Sequence, residues 1–597
     1  MSVALRTPAP EAAFGVARSF TGRRWRLRQQ DENAVAALAR DAGISPGLAR
    51  LLMARGVAAV DIADYLAPTL RKSLPEPFIL KDMDKSVARA KAAIEAGEKI
   101  AVWGDYDVDG TTSAALLHEF FAALGQPPRL YIPDRMIEGY GPNAPGLFKL
   151  KEEGASLVIT VDCGAGATAP LTAAHDAGLD VVILDHHAVE VLPPAFAHVN
   201  PNQPGDTSGL NHIAAAGVTF LFVVALNRAL RESGFYTRTG IAEPDLRDYA
   251  DLVGLATVAD VVPLTGVNRA FVRLGLNRLN RLERIGFAAL SKVARLGPPF
   301  TPYHLGFLFG PRINAGGRVG RATLGVELLT ARDAGLADEL ALNLDVHNRE
   351  RQALEKLILD EAVALSQSQS NAPFVLTTND GWHAGVVGIV AGRLKERFGK
   401  PAFVAGFEGG MGRGSARSIP GIDIGAMIRT ARDLKLIDTG GGHAMAAGFG
   451  LRPEQIDGFR KFLEQQFGQT TEALAAMAEL ELGAAISPAG ATLLLCEEIE
   501  RAGPYGAGNA EPLLVVPDAR VVFADPVGGN HIRLRLEGGD GERLDAIAFR
   551  SADMPLGQAL LAARGKRIHA VGRLRADEWQ GQKRVQLQLE DAASADV

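Results

Sequence analysis

The chain is poor in cysteine and has little net charge. Its 597 residues include only two cysteines, Cys163 and Cys496, whose wide separation argues against a disulfide framework or a cysteine-based zinc cluster. The 63 basic and 69 acidic residues give a net charge of -6, which excludes a globally basic nucleic-acid binder but leaves room for a local basic groove. The low cysteine content fits a reducing compartment, so we expect a cytoplasmic protein.

Long apolar runs and nucleotide-binding motifs are also missing. The longest apolar run, residues 213–226, falls short of the roughly 18 residues that suggest a membrane span. We interpret it as a buried core helix and expect no membrane partner. The glycine-rich segments lack the Gly-Lys-Ser/Thr ending of a Walker loop, so they do not predict binding of a nucleoside triphosphate in that mode.

What the sequence does contain is a group of carboxylates at the end of a predicted strand. The apolar run 100–103 is followed by Asp105, Asp107 and Asp109, and a helical pattern begins at Thr111. Three like charges at a strand end repel one another unless cations neutralise them, and carboxylate oxygens are the ligands that hard divalent metals prefer. The alternative interpretation is a solvated acidic turn.

Polar side chains follow two further predicted strands and one helical stretch. In open α/β sheets, ligands bind at the carboxyl ends of the strands. Each residue alone could be a helix cap or a structural histidine, but their recurrence in this context predicts a metal centre. These residues are Asp162, Asp185, His186, His187 and Asp260.

The segments around these residues resemble the four motifs of the DHH phosphoesterase superfamily, and the triplet Asp185-His186-His187 identifies it. The wider pattern resembles the single-strand-specific 5′→3′ DNA exonucleases of that superfamily. The resemblance implies an enzyme that hydrolyses single-stranded DNA from its 5′ end to 5′-mononucleotides, in DNA repair and recombination. It also implies single-stranded DNA as the main partner, with a helicase and a single-strand-binding protein as further partners.

The same resemblance implies two bound ions, either Mn²⁺ or Mg²⁺. The first ion would be held by Asp105, Asp107 and Asp162. The second would be held by Asp109, Asp162, His186 and Asp260, with Asp162 bridging the two ions. His187 would orient ligands or contact the scissile phosphate, and it joins Asp107, Asp109, Asp162, His186 and Asp260 in the implied catalytic set. Many DHH proteins carry a histidine where this chain has Trp103, which leaves the choice between Mn²⁺ and Mg²⁺ open.

Glycine-rich segments predict contacts to the phosphates of the substrate. In segment 310–320, glycines would let the backbone come close to a phosphate chain, and arginine guanidinium groups would bind its oxygens. The alternative is an ordinary glycine-rich connection. The candidates there are Arg312, Asn314 and Arg318. Segments 412–418 and 440–448 resemble substrate-binding loops of the DHH-associated domain. The candidates in these loops are Ser415, Arg417, Ser418 and His443.

Alternating helical and strand patterns, followed by period-two segments near the C-terminus, predict an α/β multidomain protein. Arg533 and Arg535 would share one face of a small barrel, where they either bind nucleic acid or simply solvate the surface. Together with the resemblance, these patterns predict five regions: a mostly helical N-terminal region at 1–80, a parallel-sheet DHH catalytic domain at 81–330, a connecting helix at 331–370, a second α/β, DHH-associated substrate-binding domain at 371–470, and a β-barrel nucleic-acid-binding domain of the OB-fold type at 471–597.

Two other functions stay open from the sequence. A DHH phosphodiesterase that acts on short oligonucleotides or cyclic dinucleotides needs only the two α/β units, so the predicted barrel favours a longer polymer. A catalytically inactive nucleic-acid-binding scaffold would have no use for the complete carboxylate set. The sequence therefore favours a metal-dependent exonuclease over both alternatives.

Overall fold

The computed structural model describes residues 11–28, 30–134, 138–369, 372–468, 479–579 and 582–595, without the side chains of residues 368, 577–579 and 582. Within this part of the chain, every helix is too short or too polar to cross a lipid bilayer. The chain divides into two compact units. One comprises Ser73–Thr471, and the other combines Met1–Lys72 with Glu472–Val597.

Strands and helices are numbered along the chain. The strands are β1 (Arg24–Leu27), β2 (Lys99–Gly104), β3 (Arg129–Tyr131), β4 (Ala155–Val161), β5 (Asp180–Leu184), β6 (Ala197–Val199), β7 (Val375–Asp380), β8 (Ala402–Glu408), β9 (Met411–Arg417), β10 (Thr439–His443), β11 (Ala446–Leu451), β12 (Glu479–Leu482), β13 (Ala484–Ala485), β14 (Leu514–Val527), β15 (His531–Glu537), β16 (Arg543–Ala548), β17 (Arg567–Trp579) and β18 (Gln582–Ser594). The α-helices are α1 (Glu32–Ala42), α2 (Pro46–Ala54), α3 (Ile62–Leu66), α4 (Leu70–Ser73), α5 (Met83–Ala96), α6 (Val108–Ala123), α7 (Ala144–Glu152), α8 (Thr168–Asp176), α9 (Ala215–Glu232), α10 (Phe235–Thr239), α11 (Ala250–Ala259), α12 (Gly266–Leu279), α13 (Ile285–Ala294), α14 (Pro302–His304), α15 (Gly310–Val319), α16 (Leu324–Leu329), α17 (Ala334–Ser366), α18 (Ala384–Phe398), α19 (Ile424–Asp433), α20 (Ile456–Gly468), α21 (Leu493–Arg501) and α22 (Pro555–Ala562).

The first sheet of the larger unit is parallel, in the order β3-β2-β4-β5-β6. Its strands are nearly continuous apolar runs because helices cover both faces, as is usual for parallel sheets. Helices α7 and α8 pack on the face that presents Ala101, Trp103 and Val158. The predicted parallel-sheet architecture is confirmed.

Three neighbouring strands of this sheet end at the same edge. The pairing continues one residue beyond each strand, because the backbone N–H of Asp105 donates to the carbonyl of Val161 (3.3 Å) and that of Asp162 donates to Leu184 (3.0 Å). The N–H of Asp185 donates to Val199 in the same way (3.1 Å). The sheet therefore places three carboxylates side by side at its carboxyl edge.

The second sheet has the order β10-β11-β9-β8-β7, with β7 and β8 parallel and the other pairs antiparallel. The segments predicted as glycine-rich loops are strands here, so that prediction is wrong. Its glycines make room for aromatic rings that lie across the strands: a Cβ on Gly414 would come within 2.3 Å of the Phe449 ring, and one on Gly412 within 2.6 Å of Phe407. Glycine in a strand often marks such a close approach.

Strand β10 lies at the edge of the second sheet, and helix α19 packs against it. Arg429 donates from Nη1 to the carbonyl oxygen of Gly442 (2.9 Å), and Arg432 donates from Nη1 to that of Gly440 (3.1 Å). Two cationic side chains thus cover backbone acceptors of a strand that is rich in glycine.

Segment 310–320 is mainly a helix, α15, and not the glycine-rich connection that was the alternative in the sequence analysis. A π-helical turn, Leu305–Phe309, joins α14 to α15 in one helical segment. The glycines serve close packing: a Cβ on Gly317 would lie 3.0 Å from the Cβ and the carbonyl oxygen of Tyr106. Helix α15 therefore lies close to the turn that contains Asp105 and Asp107.

The smaller unit contains a closed barrel. Its strands follow the order β14-β15-β16-β18-β17, and β17 pairs back with β14. The predicted OB-type barrel is confirmed. Strand β1 pairs in parallel with β12, and the buried Trp25 donates from Nε1 to Oδ2 of Asp591 (2.9 Å). N-terminal residues thus share a core with strands of the barrel. The predicted domain boundaries stay predictions.

Candidate metal centre

The turn between β2 and α6 holds the first group of carboxylates. Asp107 caps α6: its Oδ1 accepts hydrogen bonds from the backbone N–H groups of Asp109 (2.9 Å) and Gly110 (3.1 Å). A Cβ on Gly110 would lie 2.6 Å from the backbone of Asp105, so the turn can close this tightly only around glycine. The turn keeps Asp105, Asp107 and Asp109 close together.

Asp109 is buried against the start of a second helix. Its two carboxylate oxygens accept hydrogen bonds from the N–H groups of Ala215 (2.7 Å) and Ala216 (2.8 Å), at the N-terminus of α9. Burial and the negative charge of Asp107 nevertheless raise the pKa of Asp109 to about 7. Because a carboxylate offers about four acceptor positions, each oxygen retains a lone pair for a cation.

Asp162 occupies the centre of the cluster and is only 2% exposed. Its backbone is left-handed (φ 59°), a conformation that aspartate tolerates better than most residues. Among the described residues its Oδ1 accepts no hydrogen bond, although His186 Nε2 lies 3.4 Å away. Burial and the charges of Asp109, Asp107 and Asp105 raise its pKa well above the usual range.

Asp185 turns away from the cluster and organises the two histidines. Its Oδ1 accepts from the backbone N–H groups of His186 (2.7 Å) and His187 (3.1 Å), and it lies 2.7 Å from Nδ1 of the His187 ring. Burial alone would raise the pKa of Asp185, but the hydrogen bond and charge of His187 outweigh it and bring that pKa to about 2. The same pairing raises the pKa of His187 to about 9, against the effect of its burial.

His186 lies between carboxylates of the cluster. Its Nε2 is 3.8 Å from Oδ2 of Asp109, and its Nδ1 is 3.8 Å from Oδ2 of Asp260, which follows α11. Burial and the adjacent His187 lower the pKa of His186 to about 4. Burial, together with Asp109 and Asp107, raises the pKa of Asp260 to about 8. The imidazole is therefore neutral at pH 7 and has a lone pair to offer a metal.

The donor atoms fall into three groups whose ligand atoms lie within 4.8 Å of one another. The groups are Asp105 with Asp107 and Asp162, Asp109 with His186 and Asp260, and Asp162 with His186 and His187. A set dominated by carboxylates and containing one or two imidazoles suits Mn²⁺ or Mg²⁺ better than a structural zinc site. The structure brings together every residue that was predicted to bind metal.

The second sheet contributes one histidine near this cluster. The ring of His443, at the end of β10, is nearly parallel to that of His187, with centroids 6.4 Å apart and an interplanar angle of 20°. His443, Ala446 and Arg417 are paired in one row across β10, β11 and β9. Adjacent strands are roughly 4.8 Å apart, so the backbones of His443 and Arg417 are separated by about 10 Å on one face of the sheet.

The remaining substrate candidates differ in the partners of their side chains. Arg417 donates from Nη1 to Oγ of Ser415 (2.8 Å), and Arg318 donates from Nη1 to the carbonyl of Gly385 (2.8 Å) at the start of α18. Arg312 instead pairs with Asp345 (2.9 Å), and the buried Ser418 hydroxyl donates to a backbone carbonyl. Asn314, one turn before Arg318, has a buried side-chain oxygen without a hydrogen-bond partner among the described residues.

Sequence reasoning missed three residues that support the centre. The Tyr140 hydroxyl donates to the backbone carbonyl of Asp162 (3.3 Å), and the Asn200 amide donates to that of His187 (2.8 Å). Asn202 donates to the carbonyl of His186. The signal was present for the two asparagines, because they follow β6 at the same carboxyl edge of the sheet. Tyr140 gives no comparable signal, since it lies in an irregular segment.

Family models match three parts of the chain. They are the N-terminal domain of the DHH family at residues 99–257, the DHHA1 domain at 371–469 and the RecJ OB domain at 483–591. The first match contains the cluster of carboxylates and histidines except for Asp260. The second contains Ser415, Arg417, Ser418 and His443, and the third contains the closed barrel except for the end of β18.

Individual relatives extend the similarity to nearly the whole chain. The single-stranded-DNA-specific exonuclease RecJ of Escherichia coli (strain K12) is 34% identical over 584 residues, which cover 95% of this chain and 98% of that protein. RecJ of Bacillus subtilis (strain 168) is 34% identical, with 96% of this chain and 71% of that protein covered. The crystal structure of RecJ in complex with Mn²⁺ from Thermus thermophilus has a TM-score of 0.79 at 29% identity, covering 95% of this chain and 79% of that one. The chain belongs to the RecJ family of single-stranded-DNA-specific exonucleases.

Proposed function

We propose that the chain hydrolyses single-stranded DNA from its 5′ end to 5′-mononucleotides, with two divalent ions as cofactors, in DNA repair and recombination. The observation that carries the proposal is the convergence of metal-ligating atoms on Asp162, which belongs to two of the three donor groups. A carboxylate shared by two donor groups is the arrangement that a bridging ligand requires.

The residues of the centre fit hard divalent cations. Asp105, Asp107 and Asp162 would hold one ion, and Asp109, Asp162, His186 and Asp260 would hold the other. Burial and the charges of neighbouring aspartates raise the pKa values of Asp109 and Asp260, and a bound cation would relieve both effects by neutralising the carboxylates. When bound, Mn²⁺ or Mg²⁺ would neutralise phosphoryl oxygens and lower the pKa of a water molecule for attack.

His187 would contact the scissile phosphate. Its pKa of about 9 keeps the ring protonated at pH 7, and Asp185 fixes the ring from behind through Nδ1. The side chain is 38% exposed, so a substrate can reach it. A cationic imidazole in this position would donate a hydrogen bond to a phosphoryl oxygen.

Ser415 and Arg417 would bind the terminal 5′ phosphate. A terminal phosphate carries more charge than an internal diester, and a guanidinium beside a hydroxyl suits it. Arg318, which donates to Gly385 at the start of α18, would complete the contacts to the first nucleotide together with Asn314 and His443. The separation of about 10 Å between the backbones of Arg417 and His443 leaves room for one nucleotide between this anchor and the metal centre. This spacing supports mononucleotides as the product.

A cytoplasmic location stays a prediction, as do a helicase and a single-strand-binding protein as partners. So do the substrate roles of Arg312 and Ser418. Their present hydrogen bonds to Asp345 and to the carbonyl of Ile422 favour a role in holding the fold.

Product analysis tests the proposed function directly. The protein is incubated with Mn²⁺ or Mg²⁺ and with single strands, duplexes or dinucleotides that are labelled at either end. Samples are taken at intervals, and their products are separated and identified. We expect release of labelled 5′-mononucleotides from 5′-labelled single strands from the earliest times, with little cleavage of blunt duplexes. Release from the 3′ end, or internal cuts, would contradict the proposed polarity.

The same experiment includes the alternative substrate class. Cleavage confined to dinucleotides, with long single strands intact, would indicate a phosphodiesterase for short oligonucleotides. Failure to cleave any of these substrates, with either metal, would contradict an enzymatic role altogether.

A further inference from the structure

A cavity of about 660 Å³ lies in the larger unit, at the ends of helices α6 and α11 that are remote from the metal centre. Glu119, near the end of α6, and Asp251, near the start of α11, both line it. The same helices have proposed metal ligands at their other ends, Asp109 on α6 and Asp260 directly after α11. At 1.5 Å per residue, about 14–15 Å of helix separates the cavity from these ligands. The cavity has the size of a ligand pocket and is distinct from the metal centre.

Acidic side chains outnumber basic ones in the wall of this cavity. Five carboxylate groups and three guanidinium groups line it, and each guanidinium already pairs with a carboxylate of the same wall. The pairs are Arg284 with Asp251 (2.8 Å), Arg332 with Glu119 (2.6 Å), and Arg278 with both Asp248 and Glu283 (2.8 Å each). Asp245, the remaining carboxylate, pairs with Arg247, which is outside the wall. Carboxylates stay in excess even when Arg247 is counted, so the cavity favours a cation.

Glu119 has an unused acceptor in this wall. The residue is only 8% exposed, and its Oε2 accepts from Arg332, whereas its Oε1 has no hydrogen-bond partner among the described residues. Nδ1 of His118 lies 3.7 Å from Oε1, which is too far for a hydrogen bond. Burial alone would raise the pKa of Glu119, but His118, Arg284 and Arg332 outweigh it and lower that pKa. Glu119 is therefore ionised at pH 7, with one buried oxygen available to a donor.

Apolar groups complete the wall and narrow the class of ligand. Ala122, Ile285 and Leu329 line the cavity beside the charged groups. An aliphatic chain that carries ammonium groups suits such a mixture, because its methylene groups can contact apolar surface while its charged ends meet carboxylates. An anion does not suit it, since the arginines of the wall are already paired and the excess carboxylates would repel it.

We propose that this cavity binds an aliphatic polyammonium ion. One ammonium group would donate to Oε1 of Glu119, and another would meet the carboxylates of Asp248 and Glu283, whose side chains are 52% and 54% exposed. Free polyamines and the lysine side chains of a protein partner share this chemistry, so the experiment includes both. The proposal does not depend on the proposed function, because the cavity is separate from the metal centre.

Isothermal titration calorimetry on the full chain measures the binding. The buffer contains saturating Mg²⁺, which occupies the carboxylates of the metal centre, and no DNA. We expect spermidine to bind at a single saturable site, and methylamine to bind at least about tenfold more weakly, because only the longer ion carries a second charge to the rim. Putrescine should fall between them. A lysine tripeptide that binds more tightly than spermidine would support the site with a partner's lysines as the source of its ligand.

Variants of the wall assign the binding to this cavity. Glu119→Gln keeps the size of the side chain but removes its charge, and it should weaken spermidine binding at least about tenfold. Because Glu119 is buried, Ala123→Leu provides a second variant: Ala123 is an exposed residue of the wall, and leucine would fill the space without changing any charge. It should cause a similar loss. Asp176→Asn removes one charge from an exposed position on α8 and should bind spermidine as wild type does.

Two results would overturn the proposal. One is unaltered spermidine affinity in both Glu119→Gln and Ala123→Leu, with circular dichroism showing that both variants are folded. The other is weak binding at many sites that wild type and all variants lose equally on adding salt, because general attraction to acidic surface behaves in this way. The measurement contains no DNA, so its outcome is independent of the nuclease activity.

Discussion

The two sheets of the larger unit contrast in the side chains that they present. Carboxylates gather at the edge of the parallel sheet, and their burial, together with the charges of neighbouring aspartates, raises the pKa of Asp109 to about 7 and that of Asp260 to about 8. The second sheet instead carries glycines: Gly412 and Gly414 of β9 leave room for the rings of Phe407 and Phe449, and Gly448 of β11 is paired with Ser415. The first sheet therefore gathers negative charge, whereas close packing of aromatic rings against glycines shapes the second.

This difference indicates where each sheet is sensitive to mutation. At the carboxylate edge, we expect function to depend on the charge and position of single oxygen atoms. On the glycine-rich sheet, we expect function to depend on the shape of the backbone and on a few polar groups.

The largest effect should follow from Asp162→Ala. Removing the shared carboxylate should lower kcat at least about 1000-fold, since metal ions contribute several kcal/mol and each 1.36 kcal/mol is worth tenfold. Circular dichroism should show an intact fold, because relief of repulsion offsets part of the lost metal-linked stability. Asp176→Ala, an exposed aspartate at the end of α8, is the control. Substantial residual turnover would count against a bridging role.

Metal binding should stabilise the carboxylate edge and not the second sheet. Mn²⁺ at about 100 times its dissociation constant should raise the free energy of unfolding by roughly 2.7 kcal/mol. Hydrogen exchange should slow at the turn 105–110 and at residues 162 and 185–187, with little change in β9–β11. Equal protection in both sheets would show that the ions act through the whole unit.

Removing the cation of the second sheet should affect substrate binding more than chemistry. Arg417→Ala should weaken binding of 5′-phosphorylated strands by about 1.5–3 kcal/mol and abolish the preference over 5′-hydroxyl strands. Competition binding with both strands measures this preference. Arg413→Ala, an exposed arginine on the same strand, is the matched control. If the preference survived in Arg417→Ala, Arg318 would be the next candidate for the anchor.

The smallest effect should come from a single methyl group on the second sheet. Gly414→Ala should destabilise the protein by about 1–3 kcal/mol, because the new Cβ would overlap the ring of Phe449 at 2.3 Å. Gly441→Ala has no atom within 4 Å of its Cβ and should change stability little. Thermal unfolding compares the pair, and equal effects would mean that the ring simply moves aside.

The sequence predicted the parallel sheet and its polar edge because both follow from local patterns. Each apolar run ends at a carboxylate, and parallel strands bring their carboxyl ends together whatever the loops do. By contrast, the many glycines of 310–320 and 412–418 suggested loops. Tertiary packing overrides that local preference, because glycine is needed where the backbone packs closely against another residue. Gly317 packs against Tyr106 in this way, and Gly414 packs against the ring of Phe449.

Contacts between residues that are distant in the chain could not be predicted from the sequence either. No local sequence pattern around Trp25 predicts that its indole donates a hydrogen bond to Asp591, 566 residues away. The structure also assigns Trp103, which the sequence had placed beside the predicted metal ligands, to the core. Its ring is buried and stacks on Tyr131 with ring centroids 4.3 Å apart, so Trp103 belongs to the core. The site roles of individual residues therefore stay predictions until they are tested.

The arginines of α19 have a consequence for solubility. Strand β10 combines an edge position with three consecutive glycines, Gly440–Gly442, and such an edge can pair with a strand of another chain and start aggregation. Arg429 and Arg432 occupy two of its carbonyl oxygens and place cations along it. Replacing both by alanine would leave these acceptors to any extended peptide, so the variant should self-associate during folding even if its active site is intact.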